Sequence, residues 1–243
     1  MNRVASALTL VAIACTAYAA ADIAHETLGH GGACLASGGK VLLIDTTFED
    51  CSIHSRWIDG AGPIMGIVVA LLAGLMARVP RDTGMRLFLV LLFADAIFWN
   101  IGYAIKSGLG YSGDWHFLIA GLEPPDLWHT GLAVAGVVLY IAAMRMLARI
   151  WPSGKGISSG HFALVAYLTA AILSAAAGVL DPRGPDMTFT DALPSSLAAI
   201  GLPLVGLRIS DQVALQPSIL WTVVGLIAAG FFVFLLGPGI RLG

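Results

Sequence analysis

Charge is what this sequence has least of. Among 243 residues, 13 are Lys or Arg and 15 are Asp or Glu, which makes 12% charged. Soluble domains carry about 25%. So few basic residues exclude a nucleic-acid-binding surface, which needs clustered Lys and Arg. The chain also lacks low-complexity tracts and long polar runs, which excludes a disordered protein. No internal repeat stands out. What is present is apolar: 58% of residues are hydrophobic and the mean hydropathy is +0.85. The fold class that follows is an all-α polytopic membrane protein, a single membrane domain over residues 1–243.

A helix needs roughly 20 mostly apolar residues to cross about 30 Å of hydrocarbon. Six runs meet or approach that, at about 4–24, 61–77, 87–105, 127–144, 161–180 and 218–237. A further stretch, Ser195 to Leu207, is apolar but short and interrupted by Gly201 and Pro203. It is expected to be interfacial or re-entrant.

The sparse charges assign the two sides. With the N-terminus in the cytoplasm, six spans leave Arg3, Arg78, Arg81, Arg86, Arg145, Arg149, Lys155 and Arg241 inside. Lys40, Arg56, Lys106, Arg183 and Arg208 lie outside. Eight against five follows the positive-inside rule, with both termini cytoplasmic. The acids lean the other way, Asp82 being the one assigned inside. The expected location is an inner (plasma) membrane of bacterial type. A cleaved signal peptide is the competing reading, since Arg3, an apolar run and Ala17-Tyr18-Ala19 resemble one.

Cysteine is nearly absent too, with three in the chain. Cys15 falls within the first span. Cys34 and Cys51 share the first outer loop, where an oxidising compartment permits a disulfide. The intervening Gly38–Asp45 stretch reads as the start of a small β-hairpin. Two free thiols are the alternative.

Ionisable groups inside a span are expensive and mark function by default. The first span ends Asp22-Ile23-Ala24-His25-Glu26-Thr27-Leu28-Gly29-His30. Two histidines around a glutamate supply metal ligands and a general base. The familiar zinc helix is H-E-x-x-H, with its histidines at i and i+4. Here the second histidine comes one residue later, so a regular helix puts His25 and His30 about 140° apart. A π-bulge or unwinding at Gly29 realigns them. Alternatively Glu26 and His30, at i and i+4, are the ligands and His25 is the base or a supporting group.

These residues resemble the site-2 protease family of intramembrane zinc metalloproteases. The resemblance rests on His25-Glu26…Gly29-His30, on Ala61-Gly62-Pro63 opening the second span, and on Asn100…Ser112-Gly113-Asp114 ending the third. It covers roughly residues 20–115. It implies one zinc ion held by His25, His30 and Asp114, with Glu26 as catalytic base and Asn100 orienting substrate. It implies a transmembrane or juxtamembrane peptide substrate. Geometry agrees with one shared site, because 22 residues of helix from Arg3 to His25 span about 33 Å. His25 and Asp114 thereby reach the same, outer face.

His54, His116 and His129 also fall outside, and His161 inside. His54, His116 and Asp22 are accessory candidates, as extra ligands, for copper or a second metal, or as bystanders. Asp95 and Asn100 are expected to join helices or line a polar cavity. Trp99, Trp115, Trp128, Trp151 and Trp221 fit an aromatic belt. The leading expectation is a zinc-dependent membrane hydrolase, with the bilayer and a peptide as partners and no nucleic acid. A non-proteolytic metal enzyme and a non-catalytic scaffold or accessory subunit remain open.

Overall fold

The computed structural model describes residues 3–79 and 81–242, with Arg3 as backbone alone. Met1, Asn2, Pro80 and Gly243 lie outside it. The chain is mostly helical. Seven helices among the described residues are long and apolar enough to cross a membrane. These are α1 (Val4–Ala36), α2 (Arg56–Met76), α3 (Thr83–Gly110), α5 (Pro125–Ile150), α6 (Ser159–Gly178), α7 (Thr188–Gly206) and α8 (Ile219–Leu236). A short helix, α4 (Asp114–Ile119), follows α3.

Local sequence explains several boundaries. Asp82 caps α3, its Oδ1 accepting from the Met85 N–H at 3.0 Å. Ser55, Ser158 and Ser218 cap α2, α6 and α8 through their hydroxyls. Pro125 stands in the first turn of α5, where its missing N–H costs nothing. α3 stops at Tyr111, which adopts a left-handed conformation with φ 52°.

α3 is the axis of the bundle. In its most apolar window 78% of residues are buried, against 22% in α5 and 17% in α8. Phe93, Phe98, Val90 and Leu91 on α3 are fully enclosed. α5 and α8 turn Val138, Leu139, Ile219 and Phe234 outward, as helices facing hydrocarbon do. α1 is buried along much of its length, with Leu10, Ile13 and Ala17 in the main core.

The expectation of six spans is corrected to seven candidates. The chain from Thr188 to Gly206 is a run of short pieces: a π turn at Thr188–Ala192, an α turn at Leu193–Leu197, a 3₁₀ turn at Ala198–Ile200 and an α turn at Gly201–Gly206. Tyr140 on α5 holds the break, its hydroxyl donating to the Ala198 carbonyl at 2.6 Å and accepting from the Gly201 N–H at 2.9 Å. At 1.2, its hydropathy is the lowest of the seven, which hid it among the interfacial segments.

The extra candidate span moves the last described residues. Ser218, opening α8, donates its N–H to Thr9 near the start of α1. At the far end, β5 (Ile240–Arg241) pairs antiparallel with β1 (Val41–Ile44), which also pairs with β2 (Glu49–Cys51). The first and last described residues therefore lie at opposite ends of the bundle, not at the same one. Arg208 and Arg241 exchange ends as a result. Since one basic residue leaves each side and one joins it, the eight-to-five bias is unchanged. At the end that carries the start of α1, β3 (Gly156–Ser158) pairs with β4 (Gln212–Ala214).

The Cys34–Cys51 pair forms a disulfide, joining the last turn of α1 to β2. Cys15 is free and buried.

Candidate metal centre

The last turns of α1 are not α-helical. Ala24–Gly31 form a π-helix of 8 residues. Its wider turn takes up the extra residue between the histidines. His25 Nε2 and His30 Nε2 stand 3.2 Å apart. Asp114 Oδ2 is 3.1 Å from the first and 3.5 Å from the second. Three donor atoms from α1 and α4 thus form a nearly equilateral triangle.

Glycines make the convergence possible. Gly29 lies against the backbone of α2, and a Cβ on it would sit 2.5 Å from Gly62 Cα. A Cβ on Gly62 would sit 2.2 Å from His30 Nε2. Gly113, with φ 83°, turns the chain into α4, and a Cβ there would meet Tyr103 at 2.4 Å. That backbone conformation and that contact both require glycine. The small residues of Ala61-Gly62-Pro63 and Ser112-Gly113-Asp114 therefore have a packing role in the site.

The partners of each ring fix its proton. His30 Nδ1 donates to the Ile58 carbonyl at 2.7 Å. His25 Nδ1 lies 2.6 Å from Asn100 Oδ1, and Asn100 Nδ2 donates to the Ala96 carbonyl at 2.7 Å. With its amide group so committed, Asn100 offers oxygen to His25, which donates. In neutral rings both Nε2 atoms are then bare lone pairs, aimed at each other and at a carboxylate. Such a set is repulsive by itself and is relieved by a cation at its centre.

The donor set fits zinc. Zn–N and Zn–O bonds of about 2.0–2.2 Å in a tetrahedron place neighbouring donors about 3.3–3.5 Å apart. The three separations here bracket that value. Two imidazoles and a carboxylate leave one position open, the arrangement of catalytic sites. The hydrogen bonds to Asn100 and Ile58 supply the outer support such ligands need.

Glu26 lies just off the triangle, its Oε1 3.8 Å from His25 Nε2. The side chain is buried yet borders a cavity of about 610 Å³ that reaches His25, His30 and Asp114. A carboxylate here can take a proton from a water in the cavity. His25, Glu26 and His30 also offer ligand atoms within 4.8 Å of one another, which is the alternative set with Glu26 as a ligand.

The other candidates sit elsewhere. His54 is 87% exposed, with Nε2 3.9 Å from Asp59. His116 Nδ1 is 2.9 Å from His129 Nε2, away from the triangle. Asp22, one turn before Glu26, is 1% exposed with both carboxylate oxygens unpartnered, and it does not border the cavity.

Trp99 is not part of an aromatic belt. It is buried and stacks on His25, with ring centroids 4.4 Å apart and planes at 17°. Trp115 Nε1 donates to the Asn100 carbonyl at 2.9 Å. Trp151 is also buried, donating to Ser159. The adjacency of Trp99 to Asn100 was the signal available in sequence. The Ile58 carbonyl had none, since a backbone acceptor is anonymous until the fold is known.

Comparison of the chain with family models, curated proteins and solved structures gives no match.

Proposed function

We propose that the protein is a membrane-embedded, zinc-dependent hydrolase that cleaves peptide bonds, a divergent relative of the site-2 proteases. One observation carries the reading: two imidazole nitrogens and a carboxylate oxygen converge within 3.1–3.5 Å beside a buried glutamate, at the floor of a cavity. A zinc ion held by His25, His30 and Asp114 would supply Lewis-acid polarisation of a carbonyl and acidify a water.

The remaining roles fall to the chain. Glu26 accepts the proton of the attacking water and passes it to the departing amine nitrogen. Asn100 and Ile58 hold the two imidazoles in the tautomer that leaves Nε2 free. Trp99 keeps the His25 ring in plane and dry. The cavity, open at the end of the bundle where α1 finishes, admits an extended peptide segment.

The test is paired. Purified protein is expected to hold one zinc per chain. Glu26→Gln is expected to keep the zinc and abolish cleavage of a membrane-inserted reporter helix. Zinc without cleavage in the wild type would favour a non-proteolytic metal enzyme. Absence of zinc would favour a scaffold. Labelling single cysteines introduced between residues 31 and 60 from outside the cell tests the orientation; cytoplasmic labelling would reverse it.

A further inference from the structure

The end of the bundle where α1 begins, away from the histidines, carries unanswered positive charge. Arg78, Arg81, Arg145, Arg149, Lys155 and Arg208 are all exposed there, and the acids described at that end are Asp82 and Asp211. The ion pairs among the described residues involve His25, His30, His54 and Arg183, so none of these six cations has one.

Two of the cations continue an apolar stripe. On α5, Val134, Val138, Ile141, Arg145 and Arg149 are exposed, and at 100° per residue they fall within an arc of about 80°. The opposite face is the buried one, where Gly136, Ala143 and Leu147 pack inward. From Val134 to Arg145 the stripe runs about 16 Å, close to half the hydrocarbon thickness of a bilayer. It ends in two guanidiniums one helical turn apart.

α2 brings a third cation to the same place. A Cβ on Gly74 would lie 3.2 Å from Met146 Cε, so the last turns of α2 and α5 run side by side. Arg78, four residues past Gly74, comes level with the end of α5. Leu71 and Leu75 are exposed on α2 ahead of it, which repeats the apolar-then-basic order.

Guanidiniums one turn apart repel each other until an anion lies between them. Their planar donor forks match the oxygens of a phosphate. A soluble anion would use the cations alone. The apolar stripe running straight into them fits an amphiphile, with its chain on the valines and its headgroup at the arginines.

We propose that Arg145 and Arg149, with Arg78 beside them, hold the phosphate of an anionic phospholipid whose acyl chain lies along Val134, Val138 and Ile141. The inference is independent of the hydrolase reading, because this face lies at the other end of the bundle.

Native mass spectrometry of the full chain tests it. The protein is released from a neutral detergent containing equal amounts of phosphatidylglycerol and phosphatidylcholine with identical acyl chains. Wild type is expected to retain phosphatidylglycerol about tenfold more than phosphatidylcholine. Arg145→Gln with Arg149→Gln is expected to remove that preference. Lys155→Gln with Arg208→Gln, an equal loss of charge at the same end, is expected to keep it. The single substitutions Arg145→Gln and Arg149→Gln should each lower it partway, which keeps the test decisive if the first double variant folds poorly. Excess inorganic phosphate should leave the lipid in place. No preference in wild type, or equal loss in the two double variants, overturns the site. So does displacement of the lipid by inorganic phosphate, or a two-chain species that forms in place of lipid binding and disappears with Arg145→Gln and Arg149→Gln.

Discussion

Two histidine pairs face each other at almost the same distance in this molecule, and they do opposite things. His25 and His30 bring their Nε2 atoms to 3.2 Å; His116 Nδ1 and His129 Nε2 lie 2.9 Å apart. In the second pair, His129 Nδ1 donates to the Pro125 carbonyl at 2.9 Å, so its Nε2 is free to accept the His116 proton. Tyr111 stacks on His129 at 3.8 Å and donates to Asp126. Every proton there has an acceptor and the pair is complete. In the first pair both protons are spent on Asn100 and Ile58, leaving two lone pairs and a carboxylate in confrontation. The second neighbour, not the histidine itself, separates the candidate metal site from an ordinary hydrogen bond.

That contrast can be broken directly. The largest effect is expected from the ligands: His25→Ala or His30→Ala should drop bound zinc below about a tenth of an ion per chain, a loss of more than a hundredfold in affinity. His116→Ala should leave it at one. Equal losses in both pairs, by elemental analysis, would end the distinction. Gly62→Ala should come next, because the added Cβ meets His30 Nε2 at 2.2 Å and no backbone shift of α2 is free of Gly29. Zinc content should fall while the helical circular dichroism stays.

A smaller effect is expected where the outer support is removed. Asn100→Leu leaves the His25 Nδ1 proton without an acceptor in a buried site, and zinc affinity should weaken about 10–100-fold. Competition with a chelator reads it. The smallest effect belongs to the complete pair. His129→Ala should cost about 1–3 kcal/mol of stability through the lost buried hydrogen bonds and stacking, seen as a lower Tm, with zinc unchanged.

Much of this site was legible in sequence for physical reasons. Ionisable groups in an apolar run are costly, so His25, Glu26 and His30 stood out, and their spacing demanded a departure from α-helix that the π turn provides. Helix length brought Asp114 to the same face. The Cys34–Cys51 pairing followed from their sharing one loop. What stayed hidden depended on packing. Asn100 was expected to join helices, line a polar cavity or orient substrate; it does join α3 to α1, and what stayed hidden is that its partner is His25. Trp99 looked interfacial because an aromatic near a span's end usually is; stacking on the His25 ring has no sequence mark. The candidate span at Thr188–Gly206 was masked by its own polarity, since Asp191, Ser195 and Ser196 interrupt the apolar pattern, and with it went the position of the last described residues.

The central claim is that His25, His30 and Asp114 hold one metal ion together. Elemental analysis of purified wild type, Asp114→Ala and His116→Ala tests it most directly. One zinc per chain in wild type and His116→Ala, with less than about a tenth in Asp114→Ala, is the predicted result. Full zinc in Asp114→Ala, or none in wild type, would contradict it.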